Sequence, residues 1–425
     1  MSERTERSEG RERMPSRHRM RERTERSEGR ERMPSRHRMR ERTERSEGRE
    51  RMPSRHRMSD GQAERQRRFA AQRGCDTMLS GVRPASVPEQ LAALGAAAGD
   101  DLPDLYGEGG PVAELELRVA ELLGAEAAAF FPSGTMAQQV AMRHGAELTG
   151  RAGVGLHPLS HPLTHERDAY ALLTGVRAVR TTSAPRNPTA DEVAALDEPI
   201  GTLFLELPLR DAGFVLPTWD ELVAVVAAAR ARGARVHFDG ARLWESTVHL
   251  GYSPAEIAAL ADSTYVSFYK SLGGISGAAL AGDAELIRYA RAWRHRYGGT
   301  LFQQWPAALA ALAGLTRELP RLPGYVAHAK VVAEALAALP GARVHPTPPH
   351  THQFRFWLPY PAAVLDAANL ALAEEERAWF AGGWRDTEVP GLALAEVTVA
   401  GPAQELDADA VADLAARFLR RVQAG

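Results

Sequence analysis

The chain has 425 residues, 44% hydrophobic and 25% charged, the balance of a soluble globular protein of two or three domains. Its single cysteine, Cys75, excludes an intramolecular disulfide and a Cys-rich zinc site, and it favours a reducing, cytoplasmic setting. No apolar run approaches the ~20 residues of a membrane helix, and the formal charge of −2 hides a basic N-terminus and an acidic body, which argues against nucleic acid as a partner of that body.

Residues 2–20, 21–39 and 40–58 repeat the 19-residue unit "RERTERSEGRERMPSRHRM", differing only at the first position of the first copy. The unit has almost no apolar side chains and cannot offset the entropy of ordering itself, so disorder is expected over 1–58. A polyanion-binding tail is the functional alternative, weakened by the interleaved glutamates. A functional start at Met58 is another.

Residues 59–325 read as an N-terminal arm and a large α/β domain. In chain order the helix "AELELRVAELLG" (113–124) is followed by a strand end, a turn and a helix in "FFPSGTMAQQVAMR" (130–143). Then come the strand "GTLFLEL" (201–207), the helix "TWDELVAVVAAARARG" (218–233), the strand "ARVHFD" (234–239), the helix "AEIAALA" (255–261) and the strands "STYVSFY" (263–269) and "GAALAG" (277–282). Buried strands alternating with helices predict a mostly parallel sheet flanked by helices, with ligands at the carboxyl ends of the strands. Residues 326–425 read as a smaller α+β domain containing "FRFWL" and "LALAEVTVA" as strands.

Lys270 is one of two lysines in a chain that otherwise uses arginine. It ends an apolar, β-leaning run and precedes "SLGGISG", whose glycines would let the backbone pass close to a bound group. A solvated loop lysine is the plain alternative. A desolvated lysine can act as a Schiff-base nucleophile, which arginine cannot. Asp239 leaves the strand "ARVHFD". It either caps the next turn or, beside a Schiff-base lysine, keeps a pyridine nitrogen protonated as pyridoxal phosphate (PLP) requires. Ser133-Gly134-Thr135 is either a plain helix N-cap or a phosphate seat at a helix N-terminus. His157, His161 and His165 are spaced by four on a Pro-broken segment, which does not form one helix face for zinc. One of them stacking on a cofactor ring, or plain loop histidines, are the simpler readings.

In this order the motifs resemble the threonine aldolase / β-eliminating lyase family of PLP-dependent, aspartate aminotransferase-like fold type I enzymes. The resemblance runs from about Cys75 to at least Ala313. It rests on "DLYGEGGPVAELELRVAELLGAEAAAFFPSGTMAQQ", the fairly specific "HFDGARLWES", "SFYKSLGGISGAALAG" and "WRHRYGGTLFQQWPAALAAL". It implies that Lys270 holds the cofactor, Asp239 pairs with its pyridine nitrogen, and Ser133, Gly134 and Thr135 seat its phosphate. His161, five residues before Glu166, would stack on the ring, with His165 as runner-up. Arg242 would sit near the substrate carboxylate or the phosphate. Asp76, Tyr106 and Arg210 are implied as further substrate contacts. A homodimer or homotetramer with sites at subunit interfaces is implied as well, with Tyr106 and the segment 294–304 reaching across.

The implied reaction is Cα–Cβ cleavage of a β-hydroxy-α-amino acid to glycine and an aldehyde. The alternatives are β-elimination or another PLP reaction, and a non-catalytic PLP-fold protein. Three departures bear on the substrate. "LELPLRDAGFVLP" lacks the family's loop histidine and carries Arg210 there. Phe302 stands where an arginine belongs in "GGTLFQQ". Ala395 stands where the family has an arginine three residues before a threonine, leaving Arg210, Arg355 or Arg385 to compensate.

Overall fold

A computed structural model describes residues 55–100 and 102–424. The expected disorder over 1–58 lies outside the described residues except at 55–58, which open a helix running Arg55–Gly74.

Seven short strands form the main sheet: β1 (Ala127–Phe131), β2 (Gly153–Leu156), β3 (Arg177–Arg180), β4 (Thr202–Glu206), β5 (Arg235–Gly240), β6 (Ser263–Ser267) and β7 (Ala278–Gly282). Their spatial order is β1-β7-β6-β5-β4-β2-β3. Every pairing is parallel except those made by β7, which runs antiparallel to both neighbours. The central strands are buried along almost their whole length because helices cover both faces. Leu203, Leu205, Val236, Phe238 and Val266 share one core with Val112, Leu115 and Val119 of α1 (Gly110–Leu123). On the other face α2 (Gly134–Thr149) packs Ala137, Val140 and Ala141 against Tyr265 and Leu280.

The helix boundaries follow local chemistry. α3 (Trp219–Ala231) starts at a capping box in which Thr218 and Glu221 satisfy each other's amides. α4 (Leu243–Leu250) follows β5 directly and ends at Gly251, whose φ of 78° suits glycine. α5 (Trp305–Arg317) is held at its start by buried Asp104, whose Oδ1 accepts from the amides of Gln304 and Trp305.

A second sheet holds β8 (Arg343–His345), β9 (Gln353–Leu358), β10 (Arg385–Asp386) and β11 (Ala393–Thr398), in the antiparallel order β10-β11-β9-β8. Its central strands β9 and β11 alternate buried and part-exposed residues, so one face is packed. That face meets α7 (Ala362–Glu376) and α8 (Ala408–Ala424) around Phe354, Phe356, Phe380 and Phe418. α6 (Leu322–Ala337) serves both cores. Leu322 and Tyr325 belong to the first, and Ala329, Val332 and Leu336 to the second. Leu79 also joins the second core, where Thr77–Met78 pairs in parallel with Ala378–Trp379.

Candidate active site

β4 and β5 end side by side, which places Glu206 opposite Asp239 in register. Lys270 follows β6, the next strand, in a compact turn. The glycines of that turn close on its own backbone: the Gly274 amide donates to the Phe268 carbonyl (2.8 Å), and a Cβ there would lie 2.8 Å from the same oxygen. Gly273 and Gly274 also line a cavity beside Lys270.

One small cavity is lined by Leu159, His161, His165, Glu206, Arg210, Asp211, Asp239, Ala241, Arg242 and Lys270. Asp239 is 1% exposed and accepts from the Ala241 amide at 3.0 Å. Burial raises its pKa, opposed by the neighbouring Lys270 and His161 cations. Burial, then the nearby Arg242 charge, lowers Lys270 from 10.5 to about 8. A lysine so placed reaches its unprotonated, nucleophilic form near neutrality. Glu206, absent from the sequence reading, is raised to about 7 by burial and by Asp239. Its oxygens accept from the amides of His161 (2.9 Å) and Arg210 (3.2 Å), which hangs both flanking loops over the strand ends.

His161 Nδ1 lies 2.9 Å from Glu166 Oε1, and Glu166 Oε2 accepts from Gln139 on α2 at 2.8 Å. Burial disfavours the His161 cation, but Glu166, Asp239 and Glu206 outweigh it and raise the pKa. His165 lines the same cavity with Nε2 2.7 Å from Asp211 Oδ2. His157 is buried elsewhere, against the Ala184 carbonyl and the Leu159 amide. Arg242 is half-buried, stands 5.2 Å from the Phe214 ring centroid, and has an Nε without a protein partner.

Ser133 caps α2, accepting from the Met136 amide. Gly134 is buried where any Cβ would collide with the Tyr265 hydroxyl. Ser133, Gly134 and Thr135 do not line the Lys270 cavity. Gly134 abuts Tyr265 of β6, the strand that leads to Lys270, and the first turn of α2 has amides of the kind a helix leaves unpaired.

Two implied substrate contacts are not brought to this cavity. Asp76 is exposed and paired to Arg377 through both oxygens. Tyr106 is 58% exposed and meets exposed Phe302 edge-on at 5.4 Å.

The missing arginine also changes position. Ala395 is fully buried in the second core, so its side chain faces away from the site. The neighbouring residue on the opposite face of β11 is Glu396, which pairs in register with Arg355 of β9. Arg210 donates to Glu396 Oε2 (2.7 Å), Arg385 to Oε1 (3.3 Å), and Arg355 lies 3.9 Å from Oε1. Asp211 lies 3.7 Å from both Arg210 and Arg355. The three arginines named as compensators therefore converge on one carboxylate.

Solved structures share this architecture. One from Exiguobacterium sp. 255-15, assigned to the aromatic amino acid beta-eliminating lyase/threonine aldolase group, is 37% identical with a TM-score of 0.77, covering 84% of this chain and 100% of that one. Another from Listeria monocytogenes EGD-E, assigned as an L-allo-threonine aldolase, is 32% identical with a TM-score of 0.75, covering 84% of this chain and 97% of that one. The fold is that of the fold type I enzymes. The beta-eliminating lyase family model matches residues 85–356, well over half the chain, and the chain belongs to that family of lyases. Low-specificity L-threonine aldolase 1 of Arabidopsis thaliana is 29% identical over 253 residues, 57% of this chain and 70% of that protein.

Proposed function

We propose that the protein is a PLP-dependent aldehyde lyase that cleaves the Cα–Cβ bond of a β-hydroxy-α-amino acid, giving glycine and an aldehyde. The observation that carries this is the meeting of Lys270, Asp239, His161 and Arg242 around one cavity at the strand ends. The residues fit the cofactor. A lysine of lowered pKa, a buried carboxyl, an imidazole held by Glu166, an unpartnered Arg242 Nε and the open first turn of α2 each match one part of it.

Lys270 would hold the cofactor covalently, Asp239 its pyridine nitrogen, His161 its ring face, and Ser133, Gly134 and Thr135 its phosphate. Bound there, PLP supplies an electron sink beside Cα. Arg242 and Arg210 orient the substrate carboxylate. His165, fixed through Nε2 by Asp211, presents Nδ1 as the base for the β-hydroxyl proton. His161 suits that role less, because its carboxylate neighbours favour its cation. Burial raises both Glu206 and Asp239, while the Lys270 and His161 cations favour the Asp239 anion. The freed Lys270 amine then carries a proton to Cα.

The proposal extends to a cytoplasmic homodimer or homotetramer. Exposed Leu102, Leu105, Tyr106, Leu301 and Phe302 offer apolar surface for a second copy. Among the described residues no helix is long and apolar enough to cross a membrane.

The test is incubation of the PLP-loaded protein with L-threonine and L-allo-threonine. Glycine and acetaldehyde are expected in equal amounts. Loaded protein that forms neither overturns the reading.

A further inference from the structure

Behind Lys270 lies a buried cluster that the reaction above does not use. Ser271, the next residue, is joined to a carboxyl and an imidazole from two distant parts of the chain. Its Oγ is 2.5 Å from Glu245 Oε1 on α4 and 3.2 Å from His352 Nε2, just before β9. Glu245 is 0% exposed and His352 is 3% exposed. His352 Nδ1 lies 2.6 Å from the Val399 carbonyl oxygen, just after β11. Ser271, His352 and Lys270 also line a cavity of about 640 Å³, with Tyr325 of α6.

Counting protons defines the state of this cluster. A carbonyl oxygen only accepts, so His352 Nδ1 carries a hydrogen. That leaves two contacts to fill, Glu245–Ser271 and Ser271–His352. The serine hydroxyl supplies one hydrogen. The other must come from the Glu245 carboxyl or from His352 Nε2. Both contacts are hydrogen bonds only while the pair shares one further proton, and either arrangement leaves the cluster neutral overall. Without it, one of the two contacts has no hydrogen, and Glu245 is a buried anion with no neighbouring His352 cation to balance it; its Oε2 has no partner among the described residues in any of these states.

We propose that Glu245–Ser271–His352 is a proton-sharing bridge that positions Lys270. The bridge clamps the turn carrying the lysine between α4, which follows Asp239 and Arg242, and the second sheet, through His352 and Val399. A buried side-chain network that ties three distant parts of the chain together restricts their geometry, and the covalent chemistry of Lys270 depends on that geometry. The charged and titratable groups nearest the bridge are Lys270, Arg242, and Tyr325, whose ring stacks 6.1 Å from His352 and whose hydroxyl donates to Glu318.

The inference rests on the proposed PLP chemistry, so the experiment reads cofactor attachment as well as turnover. The rate at which added PLP bonds to Lys270 is followed by its absorption band, and kcat and KM by threonine cleavage. Ser271→Ala is expected to slow attachment and lower kcat by about 10-fold with KM nearly unchanged, the scale on which slight misplacement of a reacting group registers. Ser271→Thr, which keeps the hydroxyl, restores both. His352→Ala leaves the lysine's turn untouched and gives the same loss, and the double variant is no worse than either single one. Ser271→Ala with wild-type attachment and kcat, or two losses that add, overturns the bridge alone. Wild-type protein that takes up no PLP overturns the proposed function and the bridge with it.

Discussion

Glu206 and Asp239 stand opposite each other in register at the ends of adjacent parallel strands, and both carboxyls are buried. Two such neighbours cannot both ionise cheaply: burial raises both, and Glu206, raised further by the Asp239 charge, reaches about 7. The unfolded chain releases this proton near the ordinary value of 4.5, while the folded chain keeps it to about 7. The folded state therefore binds more protons across that interval, and stability falls as pH rises through it, then levels off. Glu206→Gln should flatten this slope, whose full span is on the order of 3 kcal/mol, the free energy equivalent of such a shift. Melting temperatures between pH 4 and 8 check it. A wild-type curve without the slope would show that Glu206 does not hold a proton in the folded protein.

Lys270→Ala should abolish the covalent cofactor band and its trapping by borohydride. Turnover should fall by at least about 10³-fold, as expected for loss of a covalent nucleophile. Absorption spectra before and after borohydride measure the first, and glycine release the second.

Asp239→Asn keeps an oxygen to accept from the Ala241 amide but removes the charge. The fold should persist and kcat should drop by about 10²-fold, the usual scale for losing a preorganised charge. Unchanged kcat with normal cofactor binding would argue that Asp239 only caps its turn.

His165→Asn and Asp211→Asn should each slow threonine cleavage by about 10²-fold, the usual contribution of a positioned base. Exchange of the glycine α-proton with deuterated water has no β-hydroxyl step and should continue at nearly the wild-type rate. Parallel loss of both reactions would assign His165 to cofactor binding instead.

Glu396→Gln removes the carboxylate on which Arg210, Arg355 and Arg385 converge. If it competes with the substrate carboxylate, KM for amino acids should fall by about 3-fold, in line with the modest strength of part-exposed ion pairs. Steady-state kinetics on threonine decide this, and an increase in KM would show that Glu396 holds the arginines in place for binding.

Much of this site is legible in the sequence. The apolar runs "GTLFLEL", "ARVHFD" and "STYVSFY" determine buried strands, and a polar residue at or just past such a run must lie at a strand end. That local rule marks Asp239 and Lys270, and applied to "LFLEL" it would also have marked Glu206. The Ser133 cap and the capping boxes follow from short-range hydrogen bonding for the same reason. Strand order, however, depends on pairings between residues tens of positions apart. Only the folded sheet sets Glu206 beside Asp239, turns Ala395 into the second core and Glu396 toward three arginines, and joins Ser271 to Glu245 and His352, 81 residues further on. Contacts across such separations carry no local periodicity. The chain itself thus determined its elements and marked Lys270 as the candidate anchor, while the tertiary structure decided which charged groups surround that lysine.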